Sequence, residues 1–175
     1  HVFDGHAADA MIVSALSPGG ITLFLVPGGA SGVRRERQRR LDSRAAAVVT
    51  LDAVAVPGDA LVGEEGQAGA LLEQVVDRAT VGLCADMLGG MSQAFDLTLD
   101  YLKEREQFGA RIGSFQALKH RAAELFIEIK LSRSAVMAAA RAVDAEDPEL
   151  AKLVSLAKAR CSDACVLAGN EGVQM

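Results

Sequence analysis

Six arginines stand within eleven residues: Arg34, Arg35, Arg37, Arg39, Arg40 and Arg44, broken by Glu36 and Asp42. Guanidinium groups at that density suit phosphate or nucleic acid. They equally suit a solvated strand or loop. No aromatic residue interleaves to stack on bases, and the chain's formal net charge is −5. Nucleic acid is therefore not expected, an accessory contact to an anionic small molecule is the sharper reading, and a solvated face is the simpler one. The cysteines offer less. Cys161 and Cys165 lie four apart, on one face of any helix, with Cys84 far away. A tetrahedral zinc site wants four ligands, and no nearby His or third Cys completes one. No metal site and no disulfide scaffold are expected, only three buried or half-buried reduced thiols. His1, His6 and His120 share no triad spacing, so a Ser-His or Cys-His hydrolase is not expected either.

The elements that must position these groups change character near residue 66. Of the 175 residues, 50% are apolar and 23% charged, enough for a packed core of one domain or two pieces of domains. No apolar run reaches the roughly 18–20 residues that span a bilayer. The N-terminus has no basic or apolar leader pattern, which reads as a cytoplasmic protein of bacterial type. Before residue 66, short apolar runs alternate with turn signals. Ala10–Ala15 and Ile21–Val26 flank Pro18-Gly19-Gly20, Ala45–Leu51 carries Val48, Val49 and Thr50, and Val54–Val56 and Ala60–Val62 follow. This spacing predicts an antiparallel sheet.

From Gln67 the period becomes helical. Leu72, Val76, Ala79, Leu83, Met87, Met91, Phe95, Thr98 and Leu102 recur at three- and four-residue steps, predicting one helix of about 35 residues with this buried stripe. Gly82, Gly89 and Gly90 interrupt it, which points to close approach of another helix or a ligand. Residues 106–113 read as a connecting loop. Ser114 is placed to N-cap a second helix, with Leu118, Ala122, Leu125, Ile129, Val136 and Ala139 buried. Asp147-Pro148-Glu149 opens a third, running through Leu150, Val154, Ala157, Cys161 and Cys165 toward Gly169 or Gly172. Long helices with short connections make an antiparallel bundle. The expected class is α+β: an antiparallel sheet or barrel remnant, then an antiparallel bundle of three or four helices.

Tyr101-Leu102-Lys103-Glu104-Arg105-Glu106-Gln107-Phe108-Gly109, then Phe115-Gln116, resembles the Tyr-x3-Arg-x-Gln-Phe-Gly signature of the acyl-CoA dehydrogenase family. Other stretches are similar to that family in the same order: Gly5-His6-Ala7-Ala8-Asp9, Phe24-Leu25-Val26, Leu51 to Pro57, Gly63 with Gly66, and Gly172-Val173-Gln174 at the start of a Gln-x-x-Gly-Gly motif. The resemblance implies that residues 1–66 are part of a middle β domain and 67–175 part of a C-terminal helical bundle, an excerpt of a longer protein. It implies FAD as cofactor, an acyl-CoA substrate, and electron-transfer flavoprotein as acceptor in fatty-acid β-oxidation.

The resemblance also implies roles. Arg105, otherwise a solvated cation at a helix end, would reach the FAD diphosphate bound to a neighbouring subunit. Phe108 would pack on the cofactor, Gln116 would contact it, and Gln174 would begin the stretch holding its adenosine end. A cofactor bridging subunits implies a homodimer or homotetramer, with a heterotetramer as the alternative. Asp77-Arg78-Ala79-Thr80 is similar to an Asp-x-x-Arg near the acyl-CoA, with Thr80 where Arg is usual. Arg78 is the available replacement, though a helix turns it about 160° from Thr80. The family's base is a Glu, expected beyond Met175, because Ala79 excludes the alternative on the long helix. A non-catalytic partner subunit and an acyl-CoA oxidase are the other readings.

Overall fold

The structure is a computed structural model and describes residues 1–175. The chain forms two compact units, His1–Glu73 and Gln74–Met175. The first carries strands β1 (Val2–Phe3), β2 (Ala10–Ser17), β3 (Gly20–Pro27), β4 (Val33–Gln38), β5 (Ala46–Leu51) and β6 (Leu61–Val62). They make two three-stranded sheets, β1-β5-β4 and β2-β3-β6, with every pair antiparallel. The β2–β3 hairpin pairs from Ala10 opposite Pro27 to Ser17 opposite Gly20, so Pro18-Gly19 is a two-residue turn.

Thr22, fully buried on β3, ties this unit to its exit. Its Oγ1 accepts the Gly66 backbone N–H at 2.8 Å and bonds the Ser17 hydroxyl at 2.9 Å. Gly66 has φ +77, and a Cβ there would collide with the Gly19 carbonyl, so only glycine fits this crossing. One expectation differs here. Val54–Val56 is not a strand: it follows Ala53, which turns through φ +49, leads into Pro57, and pairs with no other strand. The arginine run is in part a strand, β4, ladder-paired to β5 with Arg37 opposite Ala47.

Helix α1 (Ala68–Glu104) begins in the first unit and supplies the second. A short hairpin, β7 (Glu106–Gln107) with β8 (Ala110–Arg111), then leads to α2 (Gln116–Asp144) and α3 (Leu150–Gln174). Within the second unit, α2 and α3 run antiparallel. Arg121 on α2 faces Glu171 on α3 at 2.6 Å, and Glu128 faces Arg160 at 2.9 Å. Small side chains at the contact, Ser132, Ala139, Ala157 and Ala164, are all buried and let the two helices lie close. The core joins Leu88, Met91 and Phe95 of α1 to Leu125 and Ile129 of α2 and Val154 of α3.

The buried stripe of α1 departs from expectation in its first half. Met91, Phe95, Thr98 and Leu102 are buried, but Val76 is 60% exposed, Leu83 is 46% exposed and Ala79 is exposed. The interior positions nearby are Cys84 and Leu88, one residue on from Leu83 and Met87 in the helical sequence. Gly82, Gly89 and Gly90 face open space within this chain, so no neighbouring helix accounts for them. Ser114 caps nothing. Its hydroxyl donates back to the Arg111 carbonyl at 2.7 Å, inside a 3-10 turn at Ile112–Ser114. Helix α3 starts at Leu150, after Asp147 Oδ1 has accepted the Glu149 N–H at 2.8 Å, and it runs straight through Gly169 and Gly172.

All three thiols are free, with Cys84 and Cys161 buried and Cys165 half-buried. Cys161 on α3 and Cys84 on α1 lie beside one another in the core, so the two helices meet at a sulfur pair. Burial pushes both thiols up, Cys161 to about 11, with the facing Cys84 adding to its shift. A pKa raised on folding gives stability that is whole at neutral pH and lost as pH climbs toward the folded value. Thermal stability is therefore expected to fall as pH rises from about 9 to about 11. Cys161→Ala should flatten that decline in a melting series, and an unchanged slope would remove Cys161 as its source.

Candidate functional site

At the end of α1 the backbone of Arg105 is held from both sides. Its N–H donates to the Tyr101 carbonyl at 2.9 Å, the last helical bond, and its carbonyl accepts the Ile112 N–H at 2.9 Å. Its side chain is exposed and forms no ion pair. A fixed backbone carrying an uncommitted guanidinium fork is suited to a planar or tetrahedral oxyanion.

The hairpin that follows turns on Phe108 and Gly109, with φ +56 and +74. Two successive left-handed residues make the tight turn that a twisted hairpin prefers, and Asn-Gly is its usual filling. Phenylalanine there is strained, and its side chain is 90% exposed. Its ring meets Phe115 edge-on at 6.2 Å, which ties the hairpin tip to the residue before α2. An aromatic ring held outward on a strained turn has lost both intrinsic stability and burial. A partner that covers it accounts for both. Phe108→Asn is expected to raise unfolding stability by about 1 kcal/mol by relieving the turn, while weakening whatever stacks on the ring. Denaturant titration and ligand titration of the same variant check the two signs.

Gln116 is the first residue of α2. Its side-chain amide donates to Nε2 of His120, one turn along, at 3.0 Å. Gly113 presses the connection onto α1: a Cβ there would meet the Leu102 carbonyl at 2.6 Å. Gln174 closes α3 and is exposed. It shares a groove with Thr98 and Tyr101 of α1 and with Gly172 of its own helix. Because α2 and α3 are antiparallel and Arg121 clamps Glu171, the start of α2 and the end of α3 fall together. Arg105, Phe108, Gln116 and Gln174 thus lie at one end of the bundle, brought there by the end of α1, the hairpin turn, α2 and α3.

Asp77 and Arg78 do not join them. They lie on the first half of α1, about 40 Å along the helix from Arg105 at 1.5 Å per residue. Asp77 is half-buried; Arg78 is exposed and lines a hollow with Gln74, Val143 and Asp147. Thr80 spends its hydroxyl proton on the Val76 carbonyl at 2.7 Å, so it cannot stand in for a cation. Sequence reasoning named Phe115 and His120 but missed their contacts with Phe108 and Gln116, and it missed the Arg121–Glu171 pair. His120 was signalled by its four-residue spacing from Gln116, which puts both on one helix face. The ion pair had no local signal, since its partners are fifty residues apart.

A family model described as acyl-CoA dehydrogenase, C-terminal domain, matches residues 66–175. The short/branched chain specific acyl-CoA dehydrogenase of Bos taurus, a mitochondrial protein, is 34% identical over 147 residues, covering 82% of this chain and 34% of its own length. The structure of butyryl-CoA dehydrogenase from Megasphaera elsdenii superposes with a TM-score of 0.89 at 27% identity, covering 99% of this chain and 48% of that one. A solved structure presented as electron transferring flavoprotein of Acidaminococcus fermentans gives 0.91 at 28% identity, with 99% and 48% covered. The chain therefore spans half or less of the length of these relatives. No helix in it is long and apolar enough to cross a membrane. With the family model spanning the whole helical region, the chain belongs to the acyl-CoA dehydrogenase family.

Proposed function

We propose that this chain is the flavin- and substrate-holding part of an FAD-dependent acyl-CoA dehydrogenase, which forms the trans-2-enoyl thioester from an acyl-CoA. Residues 1–66 would be the β-domain portion and 67–175 the bundle. The observation that carries the proposal is the convergence of an unpaired guanidinium, an outward aromatic ring and two primary amides at one end of the bundle. These groups fit FAD: a diphosphate for the fork of Arg105, a flat ring system for Phe108, and polar edges for Gln116 and Gln174. Bound FAD would supply the acceptor for the hydride equivalent leaving the β-carbon.

The chain's own residues would bind and orient. Arg105, fixed by two backbone hydrogen bonds, would hold the diphosphate without reorganising. His120 holds the Gln116 amide in one rotamer, leaving its carbonyl oxygen as an acceptor. Asp77 and Arg78, remote from these groups along α1, would serve the acyl-CoA. Ala79 carries no proton acceptor, so the α-proton would be taken by a carboxylate elsewhere in the protein. A cofactor reached from a neighbouring subunit makes a dimer or tetramer the working form, with electron-transfer flavoprotein as the electron acceptor.

The test is the visible spectrum of the whole protein under anaerobic conditions before and after adding a panel of acyl-CoAs. Bleaching of a yellow flavin by one chain class is expected. A second reading, a non-catalytic subunit of a heteromeric enzyme, is favoured by Thr80 standing where a cation is usual. It predicts protein that stays colourless, or coloured and unbleached by every thioester tried.

A further inference from the structure

The arginine run of the first unit supplies none of the residues assigned to the proposed flavin site, and its geometry is not that of a merely solvated strand. β4 ends at Gln38, and the chain bends through residues 39–45 before β5. Ser43, at φ +59, turns the backbone back. Arg40 is fixed within this bend: Nε and Nη2 donate to the two carboxylate oxygens of Asp42 at 3.1 Å each, and its guanidinium lies 5.1 Å from the centre of the Phe3 ring. Asp42 Oδ1 also accepts the Arg44 N–H at 3.2 Å. The bend is therefore shaped by its own hydrogen bonds before anything binds.

This architecture encloses a hollow of about 540 Å³ lined by Arg37, Arg39, Arg40 and Arg44 with Gln38 and Ser43. Four arginines line it, and the carboxylate of Asp42 is engaged with Arg40. The concentration of positive charge is at odds with the chain's net charge of −5. Like charges crowded into a concavity repel one another, and an oxyanion relieves that repulsion while its oxygens accept paired N–H donors. No aromatic side chain lines the hollow, so it offers nothing on which a base could stack.

We propose that this hollow is a binding site for a compact polyanion of the diphosphate class. Its size exceeds a single phosphate, and its four arginines fall within eight residues of one bend, which favours a small charged group over a nucleic-acid backbone. The occupant is either a free diphosphate or the diphosphate of a nucleotide-type ligand.

Calorimetric titration of the full chain at low salt with inorganic pyrophosphate, and in parallel with ADP, tests the proposal. One-to-one binding of pyrophosphate is expected. Arg37→Ala with Arg39→Ala should weaken it at least about tenfold, as the loss of charge-assisted hydrogen bonds implies. Both residues are exposed, so the double variant should fold, which its circular dichroism would verify. Arg34→Ala, which alters a different surface beside Val48 and Thr50, should leave binding unchanged. Tighter binding of ADP assigns the diphosphate to a nucleotide ligand, and equal binding assigns it to the free anion; both support the site. Absence of pyrophosphate binding, equal weakening by Arg34→Ala, or a short single-stranded RNA binding more tightly than either anion would each overturn it.

Discussion

Arg105→Ala should release FAD. The guanidinium is the only permanently charged group among the four residues gathered at the end of the bundle, and each charge-assisted hydrogen bond it gives a diphosphate is worth about tenfold or more in affinity. Two such bonds lost together imply a Kd for FAD raised by about 100-fold or more. Because the side chain is exposed and pairs with nothing in the protein, the fold should be untouched, and far-ultraviolet circular dichroism should match the parent. Arg105→Lys should recover part of the loss, since a point charge replaces a fork. The measurement is release of fluorescent free flavin on dilution. An alanine variant that keeps its flavin as the parent does would remove Arg105 from the site.

Leu125→Ala should bring the largest loss of stability. Leu125 is 1% exposed, on α2 in the cluster that joins all three helices. Truncation removes buried methyl groups and leaves a cavity that Met91 and Ile129 cannot fill without moving, a combined cost of about 2–5 kcal/mol. Leu156→Ala on α3, where the side chain is 57% exposed, should stay within about 0.5 kcal/mol of the parent. Denaturant titrations of the two variants side by side would separate core packing from helix propensity, because both make the same chemical change in a helix. Equal losses would mean that Leu125 is not where the bundle's stability resides.

The pattern of what the sequence disclosed follows from the range of the forces involved. β2, β3, β5 and all three helices were legible because period and punctuation are local. Pro18-Gly19 closes a hairpin wherever it stands between two apolar runs, and 3.6-residue spacing writes out a helix. β1 was not foreseen: Val2 and Phe3 are two exposed residues whose strand character comes wholly from pairing with Ala46 and Ala47. Along α1, periodicity identified an apolar face but could not say which stretch of it finds a partner in this chain. Val76 and Leu83 obey the period and remain exposed, whereas Cys84 is buried because Cys161 faces it.

The site was legible through its motif more than its physics. Spacing alone leaves Arg105 a solvated cation and Gln116 an ordinary helix start. What the structure adds is convergence, since the ends of α1 and α3 and the start of α2 meet only after the antiparallel bundle closes. The left-handed backbone of Phe108 had no signal at all, because turn preferences would place Asn there. That mismatch between residue and conformation marks where local stability yields to binding.

The pairing pattern of the first unit also sets an order of events as the chain leaves the ribosome. β2 and β3 are contiguous and can zip as soon as both have emerged. β1, although it precedes both in the chain, must wait for Ala46 and Ala47. Closing β3 onto Leu61 and Val62 comes later still. The α2–α3 hairpin needs only its five-residue connection, 145–149, to form, and local contacts form fast. Amide protection during refolding should therefore appear first in α2, α3 and the β2–β3 hairpin. The strand at Val2–Phe3 should be among the last of these segments to exclude solvent.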